Sequence, residues 1–89
     1  KAEHLLIQTD TDTAAYLRQR PLHATQREVG HSHPDGSVCF EMDVALTRDL
    51  VKELLSFGAA LKVLAPAHLC RTMSEQLSKA AEAYHTDVP

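Results

Sequence analysis

The segment from Val38 to Val44 limits the fold more than any other: Val38, Phe40, Met42 and Val44 are apolar at every second position, with Cys39, Glu41 and Asp43 between them. Successive strand side chains point to opposite faces, so this run predicts a strand with one face in a core and the other in water. A slip of one residue would turn all four apolar groups outward, which fixes the register. Two other segments carry the same period. Leu5, Ile7 and Thr9 share one side if Glu3 to Thr9 is extended, and Leu61, Val63 and Ala65 alternate with Ala60, Lys62 and Leu64.

Helical signals fill the gaps. Asp10, Thr11, Asp12 and Thr13 offer capping oxygens ahead of Ala14, Ala15 and Leu17, and Pro21 stops that helix. Thr47 caps a second helix with Leu50, Val51, Leu54 and Leu55 on one face, and Gly58 is placed to end it in the left-handed conformation. Pro66 closes the last strand and opens a final helix in which Leu69, Met73, Leu77, Ala80 and Tyr84 form one continuous apolar stripe. Ser74, Glu75, Ser78, Lys79 and Glu82 of that helix are expected to face water. From Ala24 to His33 only Ala24 and Val29 are apolar, but Pro34, Asp35 and Gly36 signal a turn, which predicts a hairpin into the Val38 strand.

Strand, helix, strand, strand, helix, strand and a last helix make an α+β domain, a ferredoxin-like βαββαβ sandwich with an additional C-terminal helix. Two helices cover one face of a four-stranded antiparallel sheet. The opposite face is expected to need the terminal helix, a second chain or a neighbouring domain over it, because an open apolar sheet invites aggregation.

Eighty-nine residues hold one core, and without repeats or Gly/Ser linkers the chain is expected to be a single domain over residues 1–89. Hydrophobic residues at 44% and charged ones at 24% exclude a disordered tail or a membrane protein. Four aromatic residues and no Trp exclude a broad stacking platform for bases, and a net charge of -3 excludes a surface that grips duplex phosphates everywhere. Lys1 as first residue and the lack of a signal-like core predict a piece excised from a longer cytoplasmic protein. Cys39 and Cys70 are too few for a disulfide framework and are expected to be reduced.

Chemical constellations are sparse. His31 and His33 form an HxH pair with His23 upstream and Cys39 across the hairpin, but no further ligand falls at a familiar spacing, so neither a metal nor a cofactor is expected. No serine sits in a GxSxG elbow, and Gly30, Gly36 and Gly58 are too far apart to cradle a phosphate. Glu41 and Asp43 lie two apart opposite an apolar face and read as solvated sheet rather than an acid/base pair, so no catalytic residue is assigned. Between Arg18 and His33, Arg18, Arg20 and Arg27 against Glu28 leave +2 while the rest of the chain carries -5. Such a patch suits a phosphate or a short single strand, with Arg18, Arg20, Arg27 and His31 as candidate effector contacts; a solvated face is the plainer reading.

Gln26 in the second strand, the Asp35-Gly36 hairpin, Leu54-Leu55-Ser56-Phe57-Gly58, Val63-Leu64-Ala65-Pro66, Leu69 and Tyr84 together resemble one family pattern. It is the C-terminal extension, or WCX domain, of WYL-domain bacterial transcriptional regulators, and the resemblance covers nearly the whole chain. One departure is that Cys70 follows Leu69 where the family often has Arg, with Arg71 one place later. The resemblance implies a non-enzymatic regulatory domain that helps form a homodimer of the full-length protein and senses an effector, in some members a short nucleic acid. Promoter DNA would be bound by an N-terminal helix-turn-helix outside this sequence, and no membrane is involved. Leu77 and Tyr84 on the final helix are the candidate interface residues. Two other functions fit the same fold: a purely structural dimerisation module, and a small-molecule sensor or acylphosphatase-like enzyme.

Overall fold

Strand β1 (Glu3–Thr9) runs through the middle of a four-stranded antiparallel sheet of order β2-β3-β1-β4, in the computed structural model describing residues 1–30 and 33–87. The other strands are β2 (Arg27–Val29), β3 (Val38–Val44) and β4 (Leu61–Ala65), and the helices are α1 (Thr11–Gln19), α2 (Arg48–Ser56) and α3 (Ala67–Asp87). This is the ferredoxin-like arrangement with a helix added at the C-terminus.

The capping residues act as their chemistry requires. The Asp10 carboxylate accepts from the Thr13 amide at 2.8 Å, and the Thr47 hydroxyl accepts from the Leu50 amide at 3.2 Å. Gly58 has φ +57, and a 3-10 turn over Gly58–Ala60 follows it into β4. The Pro66 carbonyl accepts from the amides of Leu69 and Cys70, each at 3.1 Å, to open α3.

Register carries the pattern into the core. β1 and β3 pair with Leu5 opposite Met42 and Ile7 opposite Phe40, and Ile7 also faces Val63 of β4. These side chains, with Val44 and Leu61, meet Ala14 and Leu17 of α1, Leu54 of α2, and Leu69 and Met73 of α3 in one core. Between Leu6 and Ile7 the β1–β4 ladder shifts by one residue, so Leu64 bulges outward.

Four details depart from the sequence reading. Gln26 precedes β2 instead of lying in it; its Oε1 accepts from Leu22 N at 2.9 Å and its Nε2 donates to Leu17 O at 3.0 Å, fastening the end of α1. Second, β2 is only three residues long, because the weak apolar pattern there gives a longer strand nothing to bury. Third, the sheet face away from the core is more polar than expected. It carries His4, Gln8, Arg27, Glu41, Asp43 and Lys62 with Leu6, Val29 and Cys39 among them, and α3 joins the core on the helical side instead of covering it.

The fourth concerns α3. Leu69 and Met73 are 2% and 5% exposed, but Leu77 and Tyr84 are 40% and 75% exposed, so the stripe is buried only over its first turns. A helix of 21 residues is about 31 Å long, more than the small layer beneath can cover. The chain accordingly exposes 6088 Å², against roughly 5,200 Å² expected for its mass. Its radius of gyration is 13.9 Å, against roughly 12 Å for a compact chain of this length.

Candidate functional site

Adjacent strand residues point to opposite faces, and β2 uses this to separate its charges. Glu28 takes the helical side, where Arg18 in the last turn of α1 grips it with Nε and, at 3.3 Å, with Nη2. The hydrogen bond from Arg18 holds the Glu28 carboxyl below its ordinary pKa and raises that of the guanidinium.

Arg27 takes the outer face. Register sets it opposite Glu41 and sets His4 opposite Asp43, so Arg27, two carboxylates and the His4 imidazole meet on three strands. Arg27 Nε lies 2.6 Å from Glu41 Oε1 and Nη1 lies 3.9 Å from Asp43 Oδ2. His4 closes the group with Nε2 3.5 Å from Glu41 Oε2 and Nδ1 3.4 Å from Asp43 Oδ1. Glu41 and Asp43 are thus charge partners on a solvated sheet face.

Of the four candidate effector contacts, the fold does not gather three onto one surface. Arg18 and Arg27 lie on opposite sides of β2, each paired with a carboxylate. Arg20 caps α1 and, among the described residues, its guanidinium has no ion pair, so it is the most available of the three cations for an anion. His31 lies outside the described residues.

The hairpin loop is tied to the start of α1. Thr11 Oγ1 donates to Gly36 O at 3.2 Å, and Gln8 Nε2 donates to Ser37 Oγ at 2.8 Å. Asp35 accepts from the Ser37 amide at 3.0 Å, and hydrogen bonding from that amide and the Ser37 hydroxyl lowers its pKa. His33 Nε2 comes within 3.6 Å of Cys39 Sγ, a pair across the hairpin. Among the described residues no three His, Cys, Asp or Glu side chains converge as a metal group. Cys70 turns inward and donates to Val63 O at 3.2 Å, so the position after Leu69 faces the sheet while Arg71 is exposed. Among the described residues no helix is long and apolar enough to cross a membrane.

Two further surfaces stand out. The outer half of α3 presents Leu77 and Tyr84, the candidate interface residues, to solvent. Between α2 and α3 lies a cavity of about 510 Å³ edged by Arg48 and Lys52. The sequence reading passed over these two cations, although their spacing of four residues on the helix that also carries Val51 and Leu55 was visible.

Comparison with known proteins gives one family. The family model described as WCX domain matches residues 1–81, which takes in all four strands, α1, α2 and most of α3. No curated protein matches the chain. With the β2-β3-β1-β4 sheet, the Gly58 helix end and the Pro66 start of α3 all inside the matched span, the chain belongs to the WCX domain family.

Proposed function

We propose that this WCX domain is the non-enzymatic C-terminal regulatory domain of a WYL-family transcriptional regulator, pairing two copies and contributing to an effector site. The observation that carries the pairing is the outer half of α3, where Leu77 is 40% and Tyr84 75% exposed. Two such helices laid face to face would take these two apolar side chains out of water.

For the effector, the chemistry supports a phosphate-bearing ligand such as a short 5'-phosphorylated single strand. Among the described residues Arg20 has no ion pair, Arg18 is paired with the exposed Glu28 and Arg27 with the half-buried Glu41, and His31 follows them in the sequence. Operator reading is assigned to a helix-turn-helix elsewhere in the full-length polypeptide.

Sedimentation across a concentration series tests the pairing: a dimer that Leu77→Asp dissociates supports it, and a monomer at every concentration removes it. Fluorescence anisotropy of a 5'-phosphorylated oligonucleotide against the full-length protein, with a salt titration, tests the effector role. Binding that is absent, or unchanged by Arg20→Ala and Arg27→Ala, would dismiss that role. The second reading, a purely structural pairing module, is favoured by the prior engagement of Arg18 and Arg27 with carboxylates; it expects a Leu77-dependent dimer indifferent to the arginines.

A further inference from the structure

The groove between α2 and α3 is separate from both surfaces just described. Its volume, about 510 Å³, falls in the range of small-molecule sites. Leu46, Val51, Leu55 and Leu69 floor it, and Arg48 and Lys52 stand at its edge. Thr72 and Gln76 line it from α3, but the Thr72 hydroxyl already donates to His68 O at 3.1 Å.

The charges of α2 are sorted by flank. Arg48 and Lys52, four residues apart, face the groove, while Asp49 and Glu53 border a different hollow beside Leu22 and Val44. In a chain of net charge -3, no Asp or Glu lines the groove among the described residues. Glu3, outside the lining, meets the lining residue His68 at 2.7 Å. Arg18 and Arg27 have carboxylate partners, but neither Arg48 nor Lys52 has an ion pair among the described residues. Two uncompensated cations beside an aliphatic floor complement a ligand with an anionic head and an apolar body. A carboxylate matches the planar fork of Arg48, and the aliphatic side chains of Leu46, Val51, Leu55 and Leu69 suit a hydrocarbon tail beside it.

We propose that the α2–α3 groove binds a free aliphatic carboxylic acid, with its carboxylate on Arg48 and Lys52 and its chain against Val51, Leu55 and Leu69. The site stands on the groove alone and does not depend on the regulatory reading.

The test is calorimetry and heteronuclear NMR on the 89-residue chain at low ionic strength, with decanoate and decanol as probes below their aggregation limits. Saturable decanoate binding is expected, with shifts centred on Val51, Leu55 and Leu69. The doubly substituted Arg48→Gln, Lys52→Gln chain should bind decanoate at least about tenfold more weakly, as loss of a charge-assisted contact requires, and decanol should bind the unaltered chain with a similar deficit. Both positions are exposed, so the substituted chain is expected to keep its fold, checked by its amide spectrum. Absence of saturable binding, equal affinity for decanoate and decanol, affinity unchanged in the doubly substituted chain, or shifts centred away from α2 and α3 would each overturn the proposal.

Discussion

The Thr25 hydroxyl engages both polar groups of the Asp43 backbone, donating to its carbonyl at 3.1 Å and accepting from its amide at 2.9 Å. Arg27 pairs with Glu41, so two positions further along the same register Thr25 falls opposite Asp43, and its side chain supplies the rung that the backbone of the short strand does not. Thr25→Val keeps the shape and removes both bonds, along with the 2.9 Å contact of the hydroxyl with His23 Nδ1, leaving the edge of β3 frayed. The expected loss is about 1 to 2 kcal/mol in chemical denaturation, with faster hydrogen exchange at the Asp43 amide. Thr25→Ser should retain most of the protection; equal exchange in all three proteins would refute this role.

The division of α3 between Met73 and Leu77 predicts opposite phenotypes for residues on one helix. Leu69→Ala opens a cavity in the core and should cost about 2 to 5 kcal/mol of stability. Leu77→Asp at a solvent-exposed site should leave the stability of the isolated fold within about 0.5 kcal/mol while weakening self-association. Denaturation at low protein concentration, combined with sedimentation, separates the two effects. A Leu77→Asp chain as unstable as Leu69→Ala would show that the outer half of α3 belongs to the core after all.

The contrast between these residues also marks how far the sequence was legible. Periodicity located the Val38–Val44 strand, the Leu54 helix and the start of α3, because burial there follows directly from side-chain alternation or helical spacing. The same rule extended the α3 stripe through Leu77 and Tyr84, since periodicity states which residues share a face but not how much protein lies beneath it. The candidate arginines illustrate a second limit. Arg18 and Arg27 are nine residues apart and read as one patch, yet the pleat of β2 sends Arg27 to the face opposite Glu28 and its partner Arg18. Only the β2–β3 register, set by a hairpin whose sequence signal was its turn rather than its strand, reveals that separation.

Two of the three glycines with positive φ among the described residues should respond differently to the same substitution. Gly58, at φ +57, has open space where a Cβ would stand, so Gly58→Ala should cost only the left-handed backbone penalty, about 1 to 2 kcal/mol. Gly36, at φ +83, would place a Cβ 3.2 Å from Thr11 Oγ1, the atom that donates to Gly36 O. Gly36→Ala is therefore expected to cost more than Gly58→Ala and to disturb the tie between the hairpin and α1. Paired denaturation curves, with the Thr11 resonances as a local probe, check the order; a smaller loss at Gly36 would reverse the argument.

Acidification should act on the Arg18–Glu28 pair in a defined direction. The Arg18 hydrogen bond lowers the Glu28 pKa in the folded chain, so the folded state binds its proton less readily than the unfolded state does. The pair's contribution is therefore fully present above the unfolded-state pKa of Glu28 and is lost as the pH falls through the lower folded-state value. Arg18, with its pKa raised, stays charged throughout that window. Glu28→Gln should be less stable than the parent chain near neutrality, by an amount that shrinks as Glu28 protonates and also shrinks with added salt, because both side chains are 46% exposed. Thermal unfolding of the two chains from neutral pH down through the carboxylate range measures the difference. A gap that widens on acidification would mean that Glu28 is held by something other than Arg18.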